Sequence, residues 1–593
     1  MEIIDFVQRS IRVVRDSTSS SGAVDARSGQ PSETRADLYK AAINSDDLAE
    51  SMNQPGFGSS GYCVPGSENG RVIALIHAKG NMLYALKDID FASKAFEEAV
   101  LISAGGGLSG IQSLIRRVQS VLAPVLVQGG SRRDGLQVQP SEPLLLPPER
   151  ARHTAQMVFA AHGELPGLRF VADGVPKKSA ISTTSNSLLS LAKIFQDSMS
   201  SGGAFPSLLR QPSGIGDILA LYYLSLSLSE SPSTANNVGI LLASVQQSGT
   251  TPQAHIVDTS SSPPIPGIVP GSGLHLALMY YNYGLQLDSK HVHLHTNLGS
   301  LLKDIGQLDL AIQMYERAVE CDGTFDIALT NLANAVKDRG RVSDAIMYYK
   351  RAVNSNPQFA EAVCGLSTAL NSVCDWRGRG GVFLQGGKFD RFHVNEKGML
   401  LDVRDTEEGS GLMKKVVDIV SRQLLDASHW GTGVLQGDFS ELFGRKLQAL
   451  VEDEADKALD VGSELRKWAG RPWEGSRILR LIERATKVAV RRWYQDKYVR
   501  GQESRSGYPR PALPSSLAVP SAPTVLPFHT FTCPLTAKDI RMISQRNAAR
   551  ISCSTLRSPW LPRSVYPPPP PPSPQLNIGY VSSDFNNHPL AHL

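Results

Sequence analysis

The sequence Ala311-Ile312-Gln313-Met314-Tyr315-Glu316-Arg317-Ala318-Val319 returns 34 residues later as Ala345-Ile346-Met347-Tyr348-Tyr349-Lys350-Arg351-Ala352-Val353. The same shift places Leu298 on Leu332. In each copy, two alanines and the tyrosine that stands at the same position of both copies are separated by one helical turn, so they share one face of a helix. The stretch therefore predicts two similar helical units in tandem.

A period of 34 residues with this pattern is that of the tetratricopeptide repeat, which consists of two antiparallel helices. Small residues at Gly299, Ala311 and Ala318 let the helices approach closely, and the bulky Leu298 and Tyr315 fill the space between them. One unit cannot bury its apolar face alone, so units stack into a superhelix. We therefore predict a mainly α fold built on a tetratricopeptide superhelix.

Weaker copies of the pattern flank these two units. Residues 360–376 supply a first helix, residues 274–287 supply a second helix, and residues 234–245 resemble another first helix. Residues 187–195 are a partial match, and residues 73–99 form a good single unit much earlier in the chain.

Segments rich in Gly, Ser, Pro or Gln interrupt the period. Such compositions bury too little apolar surface to become ordered, so we expect surface insertions or disorder. Intron sequence retained through a gene-model error is the alternative explanation for some of them. The segments are residues 105–149, 202–216 and 248–273, and residues 10–72 have the same character apart from a short helix at 37–52.

Length and composition exclude several classes of protein. The 593 residues, 41% hydrophobic and 20% charged, suit several domains with apolar cores. A net charge of +4 is too small to indicate a nucleic-acid or membrane partner. The most apolar run, residues 218–228, is too short to span a bilayer, and we expect no signal peptide because the first residues are acidic and contain no long apolar stretch. We expect a protein of the cytoplasm, the nucleus or both.

Cysteine and histidine patterns give no metal or disulfide framework. The six cysteines are scattered without a CxxC pair, which favours buried thiols in a reducing compartment. His291, His293 and His295 alternate at a predicted helix start, where metal binding is the minor alternative. The glycine run at 105–107 lacks the Lys-Ser/Thr of a phosphate loop. We therefore expect neither a metal nor a cofactor.

The C-terminal residues have the pattern of a strand, a polar loop and the first turn of a helix, as at the start of an α/β nucleotide-binding domain. The string Gly579-Tyr580-Val581-Ser582-Ser583-Asp584-Phe585, followed by Asn587-His588-Pro589, resembles the opening of the catalytic region of protein O-GlcNAc transferases. The exit from the repeats, Val373-Cys374-Asp375-Trp376, resembles the same family. So do residues 413–420 and, in fungal-type members, residues 528–552.

The resemblance implies a two-lobed, Rossmann-like glycosyltransferase that moves N-acetylglucosamine from UDP-GlcNAc to Ser or Thr of intracellular proteins, without a metal. His588 corresponds to a family histidine considered as a base, and imidazole suits that role because its pKa lies near neutrality. The alternative is that His588 only caps the following helix. Of the family's catalytic fold, the chain contains only the first strand, loop and helix start, so we expect donor-binding residues downstream of Leu593 and no activity from this chain alone.

The resemblance also implies that asparagines on the inner helices hold the backbone of extended client segments. An amide side chain both donates and accepts hydrogen bonds, so it recognises peptide groups without reading sequence. The matching positions are Asn297 and Asn331, one period apart, and Asn237 in a weaker copy. The position is Gly365 in the third repeat and Ala78 in the early unit. Ordinary exposed helix asparagines are the alternative.

The predicted domains follow from these patterns. They are residues 1–72, mostly disordered; 73–104, an isolated tetratricopeptide unit; 105–180, an insertion or linker; 181–376, the array with its insertions; 377–525, a connector with a basic helical insertion at 451–498 and a Pro-rich linker; and 526–593, the start of the catalytic region. We interpret the charge of the basic insertion as a solvated face.

Three functions compete on this evidence. The first is a protein O-GlcNAc transferase, and the second is a non-enzymatic tetratricopeptide scaffold that binds client peptides. The third is a related O-fucosyltransferase. The sequence leaves the clients, and the formation of a homodimer, undecided.

Overall fold

The computed structural model describes residues 2–11, 62, 64–105, 108–123, 144–201, 214–245, 268–384, 388–401, 409–436, 441, 443–445, 447–448, 461–502, 507–521, 524–525, 532–558, 560–571 and 579. The chain divides into two compact units, Met1–Asp375 and Trp376–Leu593. Both units are mainly helical in their described residues.

Sixteen α-helices form the described part of the first unit. They are α1 (Glu2–Ile11), α2 (Asn69–Ala85), α3 (Ile89–Ala104), α4 (Ile111–Leu122), α5 (Pro148–Ala151), α6 (Thr154–Val158), α7 (Ala160–Gly163), α8 (Val175–Ser201), α9 (Ile215–Leu228), α10 (Pro232–Ala243), α11 (Gly273–Leu287), α12 (Val292–Asp304), α13 (Leu308–Cys321), α14 (Asp326–Asp338), α15 (Val342–Ser355) and α16 (Ala360–Ser372). Single 3-10 turns, Gly66–Glu68 and Pro166–Leu168, lie between them.

Ten of these helices pack as consecutive pairs: α2 with α3, α8 with α9, α10 with α11, α12 with α13, and α14 with α15. We name the first member of each pair the A helix and the second the B helix, and α16 follows as a further A helix. From α8 onward, each A helix also contacts the A helix of the next pair. The A helices therefore form a continuous layer, which is the stacking expected of helical repeats.

The apolar positions of the repeat fill the space between A and B helices, as the sequence predicted. Leu298 and Leu332 are buried, and Tyr315 and Tyr349 are almost completely so. A Cβ added at Gly299 would lie 2.7 Å from Cε1 of Tyr315, so only glycine fits beside this ring.

The turns between A and B helices repeat as well. Gly306 and Gly340, one period apart, have φ of +81° and +82°, a backbone conformation that favours glycine. The N–H of Gly306 donates to the Lys303 carbonyl at 3.0 Å, and that of Gly340 donates to Lys337 at 2.8 Å. The A helices α12 and α14 therefore end in the same tight turn.

The early pair α2–α3 is joined to the array. Both helices contact α8, so the pair packs directly against the first A helix of the array. His77 of α2 shares a hydrogen bond with Ser187 of α8, with 2.9 Å between ring Nδ1 and Oγ. The prediction of an isolated unit rests on the long insertion that separates this pair from the array in the sequence. Segments that are far apart in sequence can nevertheless pack together in the fold.

The prediction of a surface insertion or disorder at residues 105–149 is wrong for α4. Ile111, Leu114, Ile115 and Val118 are buried on one face of this helix. Their spacing is that of an amphipathic helix. The Gly-rich and Gln-rich residues on either side obscured this pattern in the sequence.

In the second unit, β1 (Phe383–Leu384) pairs antiparallel with β2 (Lys388–Phe389). The helices are α17 (Gly411–His429), α18 (Val461–Trp468), α19 (Glu474–Tyr494) and α20 (Ala537–Leu556), and a π-helical turn, Gln495–Val499, follows α19. Among the described residues these two short strands form the only sheet.

A buried carboxylate begins α19. Glu474 is fully buried and accepts hydrogen bonds from the backbone N–H groups of Gly433 at 3.0 Å, Leu435 at 2.7 Å and Gly470 at 2.7 Å. Charge-assisted bonds of this kind are stronger than neutral ones. Glu474 therefore ties two loops to the start of one helix.

The cysteines differ in exposure. Cys364 and Cys553 are buried as expected, whereas Cys321 and Cys374 are exposed, so the expectation of buried thiols is wrong for the latter two. None of the helices in the described part of the chain has both the length and the apolar character needed to cross a bilayer.

The strand, loop and helix start predicted at residues 576–593 lie outside the described residues, apart from Gly579. The Rossmann-like part of the predicted fold therefore stays a prediction. So does the short helix predicted at 37–52.

Candidate peptide-binding face

Three asparagines occupy equivalent positions on successive A helices. Asn237 lies on α10, Asn297 on α12 and Asn331 on α14, and each side chain is half-buried. Because these A helices contact one another in order, the three asparagines lie along one layer of the array. We name this row the asparagine ladder.

Asn297 is hydrogen-bonded within the ladder region. Its Nδ2 donates to Oδ1 of Asn236 at 2.7 Å, and Asn236 is a buried residue of the preceding A helix. An amide has two N–H donors and one carbonyl acceptor, so Asn297 keeps a donor and an acceptor for a ligand.

Asn237 and Asn331 differ from Asn297 in this respect. Within the described part of the chain, neither side chain has a hydrogen bond to another residue. Since both are half-buried, each can donate and accept toward a ligand without giving up an internal bond.

The polar residues three positions after the ladder asparagines form hydrogen bonds within their own repeats. The hydroxyl of Tyr315 donates to Oγ of Ser300 at 3.1 Å, and that of Tyr349 donates to Oδ1 of Asn334. Burial raises the pKa of both tyrosines, so their hydroxyls remain protonated donors. Asn334 is therefore engaged by its own repeat and does not extend the ladder.

The ladder ends at Gly365 for a steric reason. Gly365 holds the equivalent position on α16, and a Cβ there would collide with the Tyr349 ring of the preceding B helix. Tyr349 is completely buried and cannot move aside without disturbing the core. The sequence showed the missing asparagine but not this cause.

Exposed ion pairs link neighbouring repeats at the ends of the A helices. Lys303 lies 3.1 Å from Asp338, and Arg339 pairs with Asp309. Exposed pairs of this kind add little stability.

The three alternating histidines point to different neighbours. His291 accepts a hydrogen bond from the Leu294 N–H at 3.3 Å and caps α12, and burial lowers its pKa. His293 packs edge-on against Phe325 with 4.9 Å between ring centroids. His295 bonds the Ser289 carbonyl at 2.9 Å. In the regions that the structure describes, no group of three or more His, Cys, Asp or Glu is arranged to hold a metal ion.

His588, the predicted catalytic residue, lies outside the described residues. Its assignment as a base stays a prediction based on sequence resemblance.

The sequence profile of the tetratricopeptide repeat family matches residues 292–324, which span α12, α13 and the turn between them. The chain contains a tetratricopeptide repeat. This match confirms the repeat predicted from the 34-residue period. No curated protein matches the chain.

Several solved structures are similar to parts of this chain. MamA is 15% identical, with 31% of this chain and 85% of MamA covered, at a TM-score of 0.22. YrrB, described as a TPR protein with an unusual peptide-binding site, is 14% identical over 32% of this chain and 78% of its own, also at 0.22. PilF of Pseudomonas aeruginosa is 10% identical over 51% and 93%, at 0.26.

Proposed function

We propose that the tetratricopeptide array binds extended segments of client proteins, with Asn237, Asn297 and Asn331 hydrogen-bonding the client backbone. One observation carries the proposal: three half-buried amides lie in register on contacting A helices, and each keeps at least one donor and an acceptor. An amide matches a peptide group in both donor and acceptor, so the ladder favours chain over any particular sequence.

The spacing of the ladder indicates how a client would lie. Packed helices are roughly 10 Å apart, and an extended chain rises about 3.3 Å per residue. Consecutive asparagines would therefore contact about every third residue of an extended client. The ladder does not contact the client residues between these points, which suits a scaffold that accepts many clients.

Binding of dye-labelled, unstructured peptides to the full chain, measured by fluorescence anisotropy, tests this proposal. Each peptide is paired with a copy that carries a backbone N-methyl group at every residue, so that no shift of register avoids the modification. We expect unrelated sequences to bind with similar affinity and the N-methylated copies to bind at least about tenfold more weakly, a loss of about 1.4 kcal/mol. Affinities that follow side-chain sequence and ignore N-methylation would overturn the proposal.

We further propose that the chain belongs to a protein O-GlcNAc transferase, which would modify Ser or Thr of its clients with UDP-GlcNAc as donor and without a metal. Two resemblances support this second proposal: the string from Gly579 to Pro589, and Val373-Cys374-Asp375-Trp376 at the end of the repeats. In this proposal His588 takes the proton of the attacking hydroxyl. The same resemblance admits an O-fucosyltransferase as the competing enzyme.

The test of this second proposal uses the protein isolated from its source cells. Its intact mass is measured first, and transfer to an acceptor peptide is then compared for radiolabelled UDP-GlcNAc and GDP-fucose. We expect transfer of N-acetylglucosamine, reduced at least about a hundredfold in His588→Ala. Fucose transfer, or no transfer from either donor, would contradict the proposal and leave the peptide-binding scaffold as the function.

A further inference from the structure

The second unit contains an open groove between α19 and α20, with a volume of about 480 Å³. Arg477 and Arg480 line it from α19, and Lys538 and Arg541 line it from α20. Glu483 is the only acidic residue in its described lining. Four cations therefore face one groove from two helices.

These four cations lack internal partners. In the described part of the chain none of them forms an ion pair, although exposed pairs occur elsewhere on the same unit, as between Lys467 and Glu464. Arg480, Lys538 and Arg541 are exposed, and Arg477 is half-buried. A groove lined by one sign of charge concentrates ligands of the opposite sign.

A fifth cation of the lining, Arg546, is engaged by the protein. Its guanidinium lies over the Trp430 ring, 5.4 Å from the centroid, and Nη2 donates to Oγ of Ser521 at 3.3 Å. Arg546 therefore holds α20 in place, and the four remaining cations are left for a ligand.

The floor of the groove is aliphatic. Leu479 of α19 and Met542 and Ala549 of α20 line it between the charged side chains. Bare phosphate gains nothing from such a surface, whereas leucine-like side chains gain about 25 cal/mol for each Å² that they bury. The groove thus combines cationic walls with an apolar floor.

From this combination we propose that the groove binds an acidic, amphipathic peptide segment of a partner protein. Carboxylates of the segment face Arg477, Arg480, Lys538 and Arg541, and its apolar side chains cover Leu479 and Met542. The segment is distinct from the extended clients of the asparagine ladder, because it is recognised by charge and apolar side chains. The aliphatic floor favours such a segment over a nucleic acid, because a phosphate backbone gains nothing from covering Leu479 and Met542.

The test uses the full chain and a short dye-labelled peptide of Glu and Leu in amphipathic order. Single-stranded RNA, inorganic phosphate and a peptide with Lys in place of Glu are the competing probes. The double variant R480E/R541E reverses the exposed groove charges. The matched control R491E/R492E reverses two exposed arginines of α19 that lie outside the groove lining. The floor variant Met542→Ser tests the apolar contribution.

We expect R480E/R541E to weaken binding of the acidic peptide at least about tenfold, and the control to change it less than about twofold. Met542→Ser should weaken binding about threefold or more, and all variants should keep the tryptophan fluorescence of the wild type. Equal weakening by both charge reversals would overturn the proposal, since it would mean nonspecific attraction. Tighter binding of RNA or phosphate than of the acidic peptide would overturn it as well.

Discussion

The side chain of Asn297 donates to that of Asn236 across 2.7 Å, which joins two tetratricopeptide units through one member of the asparagine ladder. Asn236 is buried, and it is separated from Asn297 in sequence by all of α11 and the insertion before it. Asn297 therefore contributes to the packing of the array as well as to the ladder, whereas Asn331 is placed to contribute only to the ladder.

This difference predicts separate effects for two similar variants. Asn297→Ala removes the donor to a buried carbonyl and should lower the free energy of unfolding by about 1–2 kcal/mol. Asn331→Ala should change it by less than about 0.5 kcal/mol. Urea unfolding followed by circular dichroism measures both. Equal losses of stability in the two variants would contradict the distinction.

Restoring the ladder at its missing position should harm the fold. Gly365→Asn follows the pattern of the other repeats, yet its Cβ would collide with the buried Tyr349 ring. Gly299→Ala meets Tyr315 in the same way, and both variants should destabilise the array by about 1–3 kcal/mol. Gly214→Ala is the control, because nothing lies within 4 Å of its Cβ position. A stable Gly365→Asn variant with stronger client binding would refute this explanation of the gap.

Glu474 should be essential to the second unit. Glu474→Ala removes the charged acceptor of three backbone N–H groups, of which that of Leu435 is buried, and this should cost about 3 kcal/mol or more. All six tryptophans of the chain lie beyond residue 375, so tryptophan fluorescence follows the unfolding of this unit alone. Glu441→Ala, at an exposed glutamate, is the control and should leave the urea midpoint unchanged. An unchanged midpoint for Glu474→Ala would show that the three bonds contribute nothing.

The first unit should lose stability in mild acid through His77. Burial lowers the pKa of this ring below the ordinary value of 6.5, so the unfolded chain takes up its proton at a higher pH than the folded one does. The contribution of neutral His77 is complete above pH 6.5 and is lost as the pH falls toward the folded pKa. Burial lowers the pKa values of His275 and His291 as well, which adds to the same trend.

The variant His77→Gln isolates this contribution. It should show a smaller fall in melting temperature between pH 7 and pH 5 than the wild type, measured by circular dichroism. His153→Gln, at an exposed histidine, should keep the wild-type pH dependence. An equal fall in melting temperature for His77→Gln and the wild type would show that His77 has no part in the acid sensitivity.

The period of the sequence was sufficient to predict the repeats, because Leu298, Tyr315 and their counterparts are buried at a fixed interval. It also placed Asn237, Asn297 and Asn331 on one layer. It could not reveal the bond between Asn297 and Asn236, which depends on packing across an insertion that interrupts the period.

The cationic groove could not be predicted from the sequence either. The basic character of residues 451–498 is plain in the sequence, and a solvated face was the natural interpretation. The groove exists only because α20, which begins at Ala537 after a Pro-rich stretch, packs beside α19 and adds Lys538 and Arg541. Contacts between segments so far apart leave no periodic signal.

The most direct test of the central proposal is the affinity of an unstructured peptide for the double variant N237A/N331A. The matched control is Q313A/N354A, which removes two exposed amides from the B helices α13 and α15. We predict at least about tenfold weaker binding for N237A/N331A, with wild-type affinity for the control and wild-type unfolding for both. Equal affinities of N237A/N331A and the wild type would contradict the role of the asparagine ladder.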